Sequence, residues 1–172
     1  MESGTESAGL VPASILFPIV LREDGPTVLL TQRTEHLRDH AGQISFPGGR
    51  VEDDDLSPEH TALREAYEEI GVTPECVEIV GRLPEYRTVT GYRITPVVAF
   101  LTPTFQLRPD PSEVAEVFEV PLCFLLNPAN HQRHAKEYPG GVRHFFAMPY
   151  GRHFIWGATA GIIVSLTRLL SA

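Results

Sequence analysis

Between Gly48 and Val72 the chain reads GGRVEDDDLSPEHTALREAYEEIGV, and this run leaves little freedom in what can form there. Ser57 is a side-chain cap for a helix start, Pro58 suits the first helical position, and Glu59 suits the positive end of the helix dipole. Gly71 is the natural C-terminal stop, so the sequence predicts a helix ending at about Ile70. At about 100° per residue, Glu65, Glu68 and Glu69 fall within an arc of about 100°. Leu63, Ala66, Tyr67 and Ile70 fall on the other side and read as the core face. Glutamates three and four apart repel one another by about 0.2–0.5 kcal/mol per pair in an isolated helix. Such a cluster is either a solvated acidic face or a place for a cation, and hard oxygen donors suit Mg²⁺ or Mn²⁺ rather than zinc. Before the helix, Pro47-Gly48-Gly49 predicts a turn whose backbone comes close to a ligand or to the helix.

The remainder reads mostly as strands. Residues 1–12 are expected to be a flexible terminus and residues 13–172 a single domain. Ser14–Leu21 and Thr27–Gln32 read as strands, with Pro18 pointing to an edge or a bulge in the first. Cys76–Thr88 and Tyr92–Leu101 read as two more, joined near Thr90-Gly91. Glu113–Val120 alternates with period two. Pro139-Gly140-Gly141 marks a hairpin between His131–Tyr138 and Val142–Met148. Phe154–Trp156 ends the last strand, and Trp156 reads as core rather than as a stacking platform. Gly157–Leu170 predicts a closing helix with Ile162, Ile163, Leu166, Leu169 and Leu170 on its core face. Many strands with one central and one terminal helix make the fold class α+β, a sheet sandwiched by helices.

A net charge of −8 argues against a duplex nucleic-acid partner, which needs a basic footprint. Two cysteines without a CxxC pair make neither a disulfide framework nor a zinc site, and they point to a reducing, cytoplasmic setting. No stretch reads as a membrane span. The sequence leaves room for a homodimer. His131, His134, His144 and His153 have no metal-ligand spacing and read as strand or surface residues.

The combination of Gly49, Arg64, Glu65, Glu68, Glu69 and Gly71 resembles the Nudix box: a glycine, five residues, Glu, seven residues, then Arg-Glu-aliphatic-x-Glu-Glu-x-Gly-aliphatic. The chain departs from it in three places. Asp55 stands where the box has its first Glu, eight residues rather than seven separate it from Arg64, and Ala66 replaces the larger aliphatic. The bond from Arg64 that braces the turn has three candidate acceptors: Asp55, Glu52 and Asp53. Upstream, Leu29-Leu30-Thr31-x-Arg33, Arg38, Gly42 and Phe46-Pro47-Gly48-Gly49 resemble the coenzyme A diphosphatase branch, with Thr34 where that pattern has Ser or Ala.

The resemblance implies a Nudix-like α/β/α sandwich with a mixed sheet, and a Mg²⁺- or Mn²⁺-dependent hydrolase of nucleoside diphosphate derivatives. The coenzyme A branch implies cleavage of coenzyme A or acyl-coenzyme A to 3′,5′-ADP and 4′-phosphopantetheine. The other readings are a Nudix hydrolase for ADP-ribose, NADH or nucleoside triphosphates, and a non-catalytic nucleotide-binding module. It implies catalytic roles for Arg64, Glu65, Glu68 and Glu69. Metal ligation falls to Glu65, Glu68 and Glu69, with the Gly49 carbonyl and Glu113 as further candidates and Glu116 beside Glu113. Arg33, Arg38, Gly48 and Gly49 are the substrate-site candidates.

Overall fold

The computed structural model describes residues 9–172. The expected flexible stretch at residues 1–8 lies outside them, and Val11, within the stretch expected to be flexible, already belongs to a strand. In chain order the elements are β1 (Val11–Arg22), β2 (Gly25–Arg33), β3 (Ile44–Ser45), β4 (Gly48–Arg50), α1 (Pro58–Ile70), β5 (Val77–Arg82), β6 (Tyr86–Arg87), β7 (Tyr92–Leu101), β8 (Val114–Pro121), α2 (Leu122–Leu125), β9 (Gln132–Tyr138), β10 (Gly141–Tyr150), β11 (His153–Trp156) and α3 (Ala158–Leu170). A mixed sheet runs β3-β2-β1-β7-β5, with β4 also on β1, β6 on β7 and β8 on β2. A second, antiparallel sheet runs β11-β10-β9.

β1 is the central strand. It runs parallel to β7 from Val11 to Val20 and is buried on both faces from Ala13 to Val20, as a near-continuous apolar run should be. Pro18 therefore does not mark an edge. On the side away from β7, β4 pairs with residues 13–15 and β2 with residues 19–22, leaving a gap between them. The Leu16 N–H points to that side, donating to the Pro47 carbonyl at 2.8 Å. Pro18 shares its parity, so the donor that proline lacks would have pointed into the split.

Two apolar layers flank the sheet. Leu16, Val20, Leu29, Val97, Ala99 and Leu101 pack beneath α1 through Ala62, Ala66 and Ile70. Ile15, Phe17, Ile19, Val28 and Leu30 pack beneath α3, together with Met148 and Ile155 of the second sheet. Each such side chain contributes about 1.5–3 kcal/mol by leaving water. The result is the α/β/α sandwich. The core face of α3 sits earlier than the sequence predicts: Ile162, Ile163 and Leu166 are buried, whereas Leu169 and Leu170 are exposed where the helix runs past the sheet. The extended stretch expected over Cys76–Thr88 is broken between β5 and β6 at Leu83-Pro84-Glu85.

Candidate active site

α1 forms as its caps dictate. The Ser57 hydroxyl accepts from the His60 N–H at 3.1 Å, and Gly71 ends the helix in the left-handed region at φ 75°. The helix is pinned at both ends. The buried Ser14 hydroxyl donates to the Pro58 carbonyl at 2.7 Å. At the other end the Arg108 and Asp110 N–H groups donate to the carbonyls of Ile70 and Glu69, each at 2.8 Å.

The buried face of α1 keeps Ala66 and Ile70 of the predicted one but is rotated from it. Thr61, Ala62, Ala66, Glu69 and Ile70 are buried, whereas Tyr67 is exposed and Leu63 only half-buried. Small residues at 62 and 66 let the helix settle close to the sheet, which rotates Glu69 inward. The three glutamates consequently differ. Glu69 is 6% exposed, Glu65 is half-buried, and Glu68 points outward toward Arg64.

Gly48 and Gly49 run extended as β4 instead of turning, and neither takes a left-handed conformation. They are needed for close approach. A methyl group on Gly48 would lie 2.5 Å from the Ser14 carbonyl oxygen, and one on Gly49 would lie 2.6 Å from the Glu65 carboxyl carbon. The Gly48 N–H donates to Glu69 at 3.4 Å.

Asp55 is the acceptor for Arg64. It takes Nε and Nη2 at 2.9 Å each, as well as the Thr61 hydroxyl at 2.9 Å and the Glu52 N–H at 2.8 Å. The tight turn from Glu52 to Asp55 absorbs the additional residue of the loop. Glu52 itself comes only within 3.5 Å of the guanidinium, and Asp53 makes no ion pair with it. Arg64 also donates to the Arg50 carbonyl at 3.2 Å and to Glu65 at 3.1 Å, so it ties α1 to the end of β4. Its guanidinium is turned into the protein and acts as a brace.

The Asp55 side chain is 1% exposed, and the Arg64 guanidinium holds its carboxyl well below the usual carboxylate range. Asp55→Ala should cost about 3 kcal/mol, because it removes the two-point partner of a largely buried guanidinium and leaves its Nε without an acceptor. A depressed carboxyl adds stability above its unfolded pKa of about 3.9 and loses it as pH falls below that. Urea unfolding should therefore show the gap between wild type and variant narrowing as pH drops from about 5 toward 2.

Glu69 has one long hydrogen bond for a buried carboxylate. Burial first, then repulsion from Glu65 and Glu113, raises its pKa to about 8, against the pull of Gly48 and Arg33. Burial also raises Glu65, with Glu68 and Glu113 adding to the effect and Arg64 opposing it. Glu113 is exposed at the start of β8, and its charge reaches both acids. Among the described residues no three acidic, histidine or cysteine side chains close into a ready-made cage. Yet acids that repel one another around a buried carboxylate, with too few donors to satisfy it, fit a hard divalent cation. Glu65, Glu69 and Glu113 could hold one, with Glu68 at the rim and the Gly49 backbone alongside.

Arg33 stands at the end of β2, and its charge acts on Glu69. Its Nε is buried without a hydrogen-bond partner among the described residues. Arg38 is exposed on the following loop. Glu116 does not join the acids. It pairs with Arg152 and lies 3.2 Å from the His153 ring nitrogen, and a bulge in β8 separates it from Val114, which packs on the α1 side.

Residues that sequence reasoning missed set the geometry. Buried Thr34 donates its N–H to the Glu113 carbonyl at 3.0 Å and its hydroxyl to the Ser112 carbonyl at 3.1 Å. Asp110 accepts from the Ser112 N–H and hydroxyl, while its own N–H hangs on the Glu69 carbonyl. The Asp110-Pro111-Ser112 turn carries Glu113 toward α1, which nothing local in the sequence shows.

Comparison with known proteins agrees with this geometry. The NUDIX domain family profile matches residues 12–140, well over half of the chain. The uncharacterized Nudix hydrolase NudL of Escherichia coli strain K12 is 45% identical over 154 residues, covering 90% of this chain and 80% of NudL. Its counterpart in Shigella boydii serotype 18 gives the same figures. Among solved structures, a MutT/nudix family protein from Enterococcus faecalis superposes with a TM-score of 0.61 at 19% identity, covering 99% of this chain and 66% of that one. The NUDIX domain of Shewanella oneidensis NrtR, solved with ADP ribose, gives 0.58 at 19% identity and covers 98% and 94%. These two likenesses show the fold. Nudix enzymes are hydrolases of diphosphate bonds that generally need divalent metal ions. The chain belongs to the Nudix hydrolase family.

Proposed function

We propose that the chain hydrolyses the diphosphate bond of coenzyme A and its acyl derivatives, giving 3′,5′-ADP and (acyl-)4′-phosphopantetheine. What carries the reading is the segment from Leu29 to Gly49. It resembles the coenzyme A branch pattern in sequence apart from Thr34, and it ends β2 at Arg33, whose charge acts on Glu69. A guanidinium there suits phosphate oxygens through forked hydrogen bonds.

Glu65 and Glu69, with Glu113 and Glu68 beside them, would hold the ion, and Mg²⁺ or Mn²⁺ fits their oxygen donors. When bound, the ion supplies Lewis-acid stabilisation of the charge that builds on the diphosphate. Arg33 orients the diphosphate against the acids. Arg64, fixed by Asp55, sets the rotation of α1 and thereby the position of Glu65. In the reaction the oxygen of a water forms a bond to one phosphorus, and the bridging P–O bond breaks. The bridging oxygen leaves on the other phosphate, and a carboxylate of the cluster accepts the proton from water. Free cysteines at 76 and 123 fit a cytoplasmic setting. No helix among the described residues is long and apolar enough to cross a membrane.

The test is turnover with Mg²⁺ and with Mn²⁺ on coenzyme A, ADP-ribose, NADH and nucleoside triphosphates. The expected result is kcat/KM for coenzyme A at least about tenfold above the others, about 1.4 kcal/mol of discrimination. Equal turnover of all four overturns the reading and leaves a Nudix hydrolase of another diphosphate.

A further inference from the structure

Where β3 at the edge of the main sheet approaches β11 at the edge of the second, they enclose a cleft of about 360 Å³. This lies in the size range of small-molecule sites. Gln32 and Gln43 form one wall, and Arg152, His153, Phe154 and Trp156 form the other. Trp156 is not core as the sequence suggests. It is 36% exposed and Phe154 46%; both line the cleft, and their rings also meet Phe145 and His134 of the second sheet. The second wall is fixed to the first. Glu116 pairs in register with Gln32 on β2, and its carboxylate holds both Arg152 and His153. The His153 ring in turn stacks on Phe118 at 3.7 Å with an interplanar angle of 2°. Arg152 remains 73% exposed, and because Glu116 engages it through Nη2, other guanidinium donors stay open.

The cleft adjoins the acidic pocket through β2. Gln32 contributes to the cleft, and its neighbour Arg33, across a bulge, acts on Glu69. The cleft and the acids thus lie beside neighbouring residues at one end of β2. Aromatic rings suit a planar base, side-chain amides suit its edge, and an open guanidinium suits a phosphate.

We propose that this cleft is the subsite for a nucleoside bearing a phosphate away from the scissile bond, with Trp156 and Phe154 against the base and Arg152 reading that phosphate. The assignment rests on the coenzyme A reading for its biological ligand, since coenzyme A carries such a 3′-phosphate. Arg152 is then a specificity-determining residue, outside the hydrolytic machinery.

Trp156 is the chain's one tryptophan, so its fluorescence reports on the cleft directly. Wild type and Arg152→Ala are titrated with 3′,5′-ADP and with 5′-AMP, and kcat/KM is measured for coenzyme A and 3′-dephospho-coenzyme A. In wild type, 3′,5′-ADP should change the Trp156 emission and bind at least about tenfold more tightly than 5′-AMP. Arg152→Ala should lose that preference, about tenfold or more, with 5′-AMP binding unchanged. It should likewise lower kcat/KM for coenzyme A but not for the dephospho form. If the binding results hold and coenzyme A is not turned over, the cleft assignment stands and the substrate reading falls. If Trp156 does not respond, if wild type shows no preference, or if the variant keeps the preference or loses both nucleotides alike, the cleft assignment is overturned.

Discussion

Glu69→Gln is expected to lower turnover about 10³-fold while leaving the protein folded, and to raise the melting temperature of the metal-free protein. Both effects come from the same placement. Glu69 is buried on the helix face that packs on the sheet, near Glu65 and Glu113, with one long hydrogen bond from Gly48. A carboxylate there is desolvated and repelled. Glutamine keeps an acceptor for the Gly48 N–H and removes the charge, so the fold gains and the cation site loses. The readouts are steady-state hydrolysis and thermal melts with and without Mg²⁺ or Mn²⁺. Wild type should be stabilised by the ion and the variant should not. Unchanged turnover in a folded variant would refute the assignment, as would a metal-induced shift equal to that of wild type. The same variant separates a catalyst from a module that only binds nucleotides, since only the catalyst needs the charge.

The contrast between Glu69 and Asp55 shows what a sequence of this kind reveals. The bounds of α1 were legible to the residue, because Ser57, Pro58 and Gly71 act through local backbone geometry. The rotation of α1 was not. It depends on Ala62 and Ala66 meeting the sheet, contacts made across long loops, so residue spacing alone puts Tyr67 inside and Glu69 outside. Asp55 was in doubt for a related reason. Motif spacing counts residues along the chain, whereas the Glu52–Asp55 turn takes up one residue before the carboxylate reaches Arg64. The β9–β10 hairpin was visible from its glycines, but not that it joins a separate sheet whose edge strand makes a cleft with β3. Glu113 and Glu116 looked equivalent in sequence. Glu113 lies in the turn before β8 and Glu116 beyond a bulge in it, so their neighbours differ: the acids for Glu113 and Arg152 for Glu116.

Gly48→Ala and Gly49→Ala should fail in different ways, although the residues are adjacent and both belong to the motif. A methyl group on Gly48 would meet main-chain atoms of β1, 2.5 Å from the Ser14 carbonyl oxygen and 2.7 Å from Ile15 Cα. β1 is buried on both faces and paired along its length with β7, so it cannot yield. The variant should lose about 3 kcal/mol or more of stability. A methyl group on Gly49 meets only the end of the Glu65 side chain, which can rotate away. Stability should fall by about 1 kcal/mol, whereas a displaced carboxylate at the reacting centre should cost about 10²-fold in turnover. Urea unfolding and initial rates on the two purified variants measure both quantities. A Gly49→Ala protein with wild-type turnover would mean that Glu65 need not stand where β4 holds it. A Gly48→Ala protein no less stable than Gly49→Ala would mean that β4 is not pressed against β1. In the expected pattern the two glycines divide the work: Gly48 lets β4 lie on the central strand, and Gly49 lets the Glu65 carboxylate lie on β4.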